Sequence, residues 1–115
     1  MNVPVLARVI EAAGISTVLV TMVPDLAERI GVPRIVGVEF PFGHTLGHAG
    51  EREEQMKVIG DALGVLRDAR QPNTVEHLPY EWPDFERWKR EWQASEPAPI
   101  IAFLLEQRRR ARAAE

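Results

Sequence analysis

Along residues 3–13, Val5, Leu6, Val9, Ile10 and Ala13 recur at helical spacing. Pro4 suits a first turn and Gly14 ends the pattern, so an amphipathic helix is expected. The next run, ISTVLVTM at 15–22, is continuously apolar and β-branched, as in a strand covered on both faces and therefore in a parallel sheet. Pro24 opens a short helix in PDLAERIG, where Leu26, Ala27 and Ile30 form the apolar stripe and Gly31 closes the turn. VPRIVGVEF, at 32–40, has the pattern of a second buried strand. Strand, helix and strand joined by tight connections make a βαβ unit with parallel strands.

The stretch PFGHTLGHAG, at 41–50, carries three glycines and two histidines and is expected to be a loop. A long helix follows over 51–70, with acids in its first turn and Met56, Ile59, Leu63 and Leu66 on its apolar face. QPNTVEHLPYEWP has the look of an extended, proline-bounded link. Phe85, Trp88 and Trp92 mark a short helix over 83–94, and PAPIIAFLLEQRRRARAAE is a last helix. The expected class is α/β: a small βαβ-type unit with parallel strands and additional C-terminal helices, in one domain over 1–115. Two strands cannot cover their own faces and edges, so a homo-oligomer is expected. The aromatic helix near Trp88 and the apolar PIIAFLL segment are its candidate contact surfaces.

Composition narrows the function classes. The 115 residues are 45% hydrophobic with a formal net charge of −3, which leaves no general electrostatic footprint for nucleic acid. Arg108, Arg109, Arg110 and Arg112 suit the last turns of a helix and are expected to be solvated. The absence of cysteine excludes disulfides, a thiolate nucleophile and any Cys-ligated metal within this chain. The longest apolar run, IIAFLL, falls far short of a membrane span, and MNVPVLARVIEAAG lacks the pattern of a signal peptide. No membrane partner and a cytoplasmic location are the expectation.

Ligand sites in parallel α/β sheets lie at the carboxyl ends of the strands, which directs attention to the 41–50 loop. Gly43 and Gly47 let backbone N–H groups approach an anion, but without the glycine-lysine pattern of a phosphate cradle a small carboxylate suits the loop better. His44 and His48 could face that ligand; their spacing of four would suit a metal on a helix, but in a loop without a third ligand no metal is expected. Thr21, where the first strand ends, could turn its hydroxyl into the same crevice or cap the backbone before the next helix. Glu39 could act as a general base if buried. His77 fits a link residue, and Trp82, Trp88 and Trp92 fit packing or interface residues. No catalytic residue is assigned and no cofactor is expected.

The pieces Glu11-Ala12-Ala13-Gly14-Ile15, the strand ending near Thr21, Val23-Pro24, Gly31-Val32-Pro33-Arg34-Ile35-Val36 and Pro41-Phe42-Gly43-His44-Thr45-Leu46-Gly47 follow one another in a characteristic order. This stretch resembles the C-terminal part of the selenoprotein B component of the glycine, sarcosine, betaine and D-proline reductases, with a weaker match to about residue 69. Residues 1–69 form the reductase-like part and 70–115 a helical C-terminal extension. The resemblance implies a selenocysteine or cysteine that attacks the substrate's α-carbon and lies before the helix corresponding to VPVLARVIEAAG. No residue of this chain can take that role. The implied function is a subunit or small-carboxylate-binding module without its own redox nucleophile. A partner chain would carry the Cys or selenocysteine, or an upstream selenocysteine codon has been read as a stop. The alternatives are an enzyme with its site at a homo-oligomer interface, using His44, His48 or Glu39, and a purely structural assembly protein.

Overall fold

The computed structural model describes residues 2–91, 96 and 98–114. In chain order the elements are α1 (Asn2–Ala12), β1 (Leu19–Thr21), α2 (Pro24–Ile30), β2 (Arg34–Gly37), α3 (Arg52–Asp68), β3 (Thr74–His77), α4 (Phe85–Glu91) and α5 (Pro99–Ala113). The strands form one parallel sheet in the order β1-β2-β3, an α/β fold with C-terminal helices as expected. Leu19, Val20 and Thr21 pair with Ile35, Val36 and Gly37, and Arg34 to Gly37 pair in turn with Thr74 to His77. Both βα connections start at carboxyl ends of strands on the same side of the sheet, as parallel pairing requires.

The third strand corrects the expectation of an extended link. Asn73 enters it at φ 61°, a left-handed turn that asparagine tolerates, and the Thr74 hydroxyl donates to the Gln71 carbonyl at 2.7 Å. The Thr74 N–H then reaches the Pro33 carbonyl at 3.1 Å, and the Leu78 N–H reaches that of Gly37 at 2.9 Å. β2 is therefore central and paired on both sides, and the free edges belong to β1 and β3.

Alternation along the strands divides the core between two faces. Leu19 and Ile35 pack with Ala7 of α1, Ala27 of α2, Val32 and the partly buried Val75. The other cluster is Val38, Phe40, Val58 of α3 and Trp82, with Val20, Leu78, Tyr80 and Phe85 against it. Between α1 and the sheet, the Glu11 carboxylate accepts from the Thr17 N–H and hydroxyl and pairs with the Arg34 guanidinium at 2.6 Å. Those donors hold Glu11 below the usual carboxylate range, the Thr17 backbone N–H most of all.

Two helical faces differ from expectation. α1 buries the small Ala7, while Val5, Leu6 and Val9 stay exposed; α3 turns Val58 and Ala62 inward and leaves Met56 and Leu63 outside. Ala7 packs with Leu19 and Ile35 of the sheet, and Val58 joins Val38, Phe40 and Trp82, while the bulkier residues beside them face solvent. α5 buries no residue, and Ile100, Ile101, Phe103, Leu104 and Leu105 are all exposed on it. The Cα radius of gyration is accordingly 18.2 Å, against about 13 Å for a compact chain of this length. Trp92, expected on α4, lies outside the described residues. Among the described residues no helix is long and apolar enough to cross a membrane.

Candidate functional site

Thr21, Gly37 and His77 lie in one row across the carboxyl ends of the three strands. The Thr21 hydroxyl accepts from the Val23 N–H at 3.1 Å, closing the turn into α2. Gly37 is where the row has no room: a Cβ there would stand 2.9 Å from His77 Nδ1 and 3.2 Å from Pro24 Cγ. His77 is thus a strand residue lying against Gly37, a placement that its link-like surroundings did not suggest.

A cavity of about 170 Å3 opens beside this row. Met22 and Val23 line it after β1, Phe40, Pro41 and Phe42 after β2, and Phe85, Trp88 and Lys89 come from α4. Lys89 is the one charged side chain among those lining residues, with Nζ 5.9 Å from the centroid of the Phe85 ring. Among the residues of 41–50, Pro41 and Phe42 reach this crevice, whereas His44 to Gly50 do not line it. Glu39 points away from the buried Val38 and Phe40 and is exposed, so the burial on which its role as a base depended is missing.

The loop itself is a series of tight turns. The His44 N–H donates to the Pro41 carbonyl at 3.0 Å with Gly43 at φ 87°, and the Gly47 N–H donates to the His44 carbonyl at 2.9 Å. These turns bring both imidazoles to Trp82. The His48 ring stacks on the indole at 3.7 Å and 9°, and His44 lies 5.0 Å from Trp82 and 5.8 Å from Trp88. Among the described residues no three His, Asp or Glu side chains cluster as metal ligands.

Behind His48 stands Glu54, in the first turn of α3. Its Oε2 accepts the His48 backbone N–H at 3.0 Å and lies 2.8 Å from His48 Nδ1. The backbone N–H, then the ring, holds the Glu54 carboxyl below its usual range. A carboxylate can only accept, so Nδ1 carries the hydrogen and Nε2 is left as the ring's free position. Gln55 fastens the same residue from the other side, its Nε2 donating to the His48 carbonyl at 2.8 Å. Gly47 makes room for this: at φ 115°, a Cβ there would stand 2.7 Å from Glu54 Cδ. Glu54, as one of several acids opening a helix, and Trp82, within a proline-rich stretch, carry no sequence signal that joins them to His48.

A wider groove of about 1210 Å3 runs between the second half of α3 and β3. Within it the Tyr80 hydroxyl donates to Asp61 at 2.6 Å, and this bond raises the Tyr80 pKa above its ordinary value.

No family model matches the chain, and no solved structure matches it. Among curated proteins, the D-proline reductase subunit gamma of Acetoanaerobium sticklandii is 30% identical over 78 residues. Those residues make up 68% of this chain and 32% of the relative, so the chain spans about a third of that protein's length. The chain is distantly related to that reductase subunit.

Proposed function

We propose that the chain works as a reductase-related subunit that binds a small carboxylate and acts with a partner chain bearing the Cys or selenocysteine it lacks, as in the selenoprotein B components of the glycine, betaine and D-proline reductases. The 30% identity over 78 residues to a D-proline reductase subunit carries this reading. The crevice supports it: apolar walls from Met22, Val23, Phe40 and Trp88 suit an aliphatic body, and the Lys89 ammonium suits a carboxylate at the rim. Cleavage at an α-carbon needs a soft nucleophile, and with no cysteine in its 115 residues this chain must receive that group from elsewhere. A cytoplasmic location belongs to the same reading.

Titration of the purified chain with D-proline, glycine and acetate, followed by Trp88 fluorescence and calorimetry, tests the binding. One of the three should bind, and Lys89→Gln should weaken it at least tenfold. No heat and no spectral change with any of them would remove the ligand from the reading.

Homo-oligomerisation is proposed from the exposed apolar residues of α5 and α1, which a 13.0 kDa chain leaves in water. Light scattering at micromolar concentration should give a multiple of 13.0 kDa. A stable monomer mass would refute the assembly, and a truncation ending at Gln93 that kept a larger mass would take α5 out of it.

A further inference from the structure

We propose that His48 is a proton-transfer residue, fixed in one tautomer by Glu54 and in one plane by Trp82, whose Nε2 exchanges a proton with a small weak acid resting on the 41–50 loop. The substrate class is a ligand with an ammonium or thiol proton. Resting on the ligand-binding reading above, this names the group that would handle the ligand's proton. Nε2 takes the proton from the ligand, the imidazolium is stabilised by the Glu54 carboxylate at Nδ1, and the same proton is later returned from Nε2.

Four features converge on one imidazole. Glu54 Oε2 takes both the Nδ1 hydrogen at 2.8 Å and the residue's own N–H at 3.0 Å. Gln55 holds the His48 carbonyl at 2.8 Å, and the Trp82 indole lies parallel to the ring at 3.7 Å. Gly47 gives up its side chain to admit the carboxylate. Stability does not account for this arrangement. The side chains of His48 and Glu54 are 41% and 29% exposed, and a pair so open to water contributes about 0–1 kcal/mol. Orientation accounts for it better: a carboxylate behind Nδ1 selects the tautomer whose Nε2 lone pair is available. Among the described residues Nε2 makes no hydrogen bond, so the exchanging atom is not consumed by the fold. The titratable groups around the ring are Glu54 from α3 and, sharing the Trp82 indole, His44 from the same loop. His44 in turn meets Trp88, which lines the crevice, whereas His48 faces the loop surface outside it.

Two measurements on the full chain test this without any natural ligand. Nitrogen NMR of the imidazoles should show neutral His48 with the hydrogen on Nδ1, and Glu54→Ala should return it to the Nε2–H form that free histidine prefers. Hydrolysis of p-nitrophenyl acetate reads the availability of Nε2. That nitrogen attacks the ester carbonyl and expels p-nitrophenolate, and water then cleaves the acyl-imidazole to acetate and regenerates the ring. His48→Ala should cut this turnover at least fivefold. Glu54→Ala should lower it severalfold, with Glu54→Gln, which keeps an acceptor for the Nδ1 hydrogen, between that variant and the parent. Cooperative urea unfolding with a midpoint close to the parent's confirms that each variant is folded. An Nε2–H tautomer in the parent protein, or equal turnover in parent and Glu54→Ala, would overturn the assignment. Failure of D-proline, glycine and acetate to bind would count against the ligand reading and leave these two results standing.

Discussion

Replacing Gly47 by alanine tests how the loop and α3 are fitted together. The residue sits at φ 115°, where a Cβ meets its own backbone, at a cost of about 1–2 kcal/mol. The new methyl would also stand 2.7 Å from Glu54 Cδ and 2.9 Å from its Cγ. Those atoms belong to the far end of a flexible chain, so the carboxylate swings away instead of colliding. What is lost is its hold on the His48 N–H and Nδ1, about 0.5–1 kcal/mol at so exposed a pair. Gly43, at φ 87° with nothing within 4 Å of a Cβ, supplies the control. Gly43→Ala should cost only the backbone part, and Gly47→Ala about 0.5–1 kcal/mol more, in urea unfolding followed by tryptophan fluorescence. In a Glu54→Ala background the surplus should vanish, giving a coupling of about the same 0.5–1 kcal/mol. Equal losses at both glycines, or a surplus that survives removal of Glu54, would refute the fit between Gly47 and the carboxylate.

Gly37→Ala should destabilise by about 1–3 kcal/mol through overpacking against His77 and Pro24, and His77→Ala should recover part of the loss; a change under about 0.5 kcal/mol in thermal unfolding would contradict the contact. Glu11 is held below its ordinary value of 4.5, so its contribution is complete above that pH and is lost as pH falls through the lowered value. Glu11→Gln should therefore be less stable than the parent at pH 7 and converge with it at low pH, and a constant difference in urea titrations from pH 7 to 2.5 would dismiss the pairing. The purified chain should not reduce D-proline, glycine or betaine with a dithiol donor, since it has no cysteine, and turnover by a preparation free of other proteins would refute this.

The elements that rest on apolar runs and punctuating prolines and glycines were legible in the sequence. β1 and β2 fall inside ISTVLVTM and VPRIVGVEF, and α2 begins at Pro24 and ends against the left-handed Gly31. β3 was not legible, because only Val75 of Thr74–His77 is apolar and an edge strand with one half-buried face needs no more. The inward faces of α1 and α3 were misread for a different reason. Helical spacing of bulky residues marks an apolar stripe, but burial requires something to cover it, and here Ala7 of α1 packs with Leu19 and Ile35 of the sheet while α3 buries Val58 and Ala62. Val5, Leu6 and Val9 then form a stripe without cover among the described residues, as do Ile100, Ile101, Phe103, Leu104 and Leu105. Both lie where an assembly would place its contacts.

The site shows the same division between local and non-local information. The loop, its glycines and the four-residue interval between His44 and His48 are local and were visible; that interval would suit a shared metal on a helix, and in a loop it left the direction of the two rings open. Gly43 and Gly47 at positive φ instead turn the chain so that the imidazoles meet an indole contributed from beyond β3. A carboxylate six residues along from His48 could face any direction until α3 is docked against β2. Only then does Glu54 come behind Nδ1, with the side chain that Gly47 lacks as the condition for its approach. The chemistry open to His48 therefore depends less on the histidine than on a glycine and an acid with no motif of their own. A substitution at Gly47 should alter the imidazole's tautomer and reactivity without touching it, whereas the same substitution at Gly43 should alter stability alone.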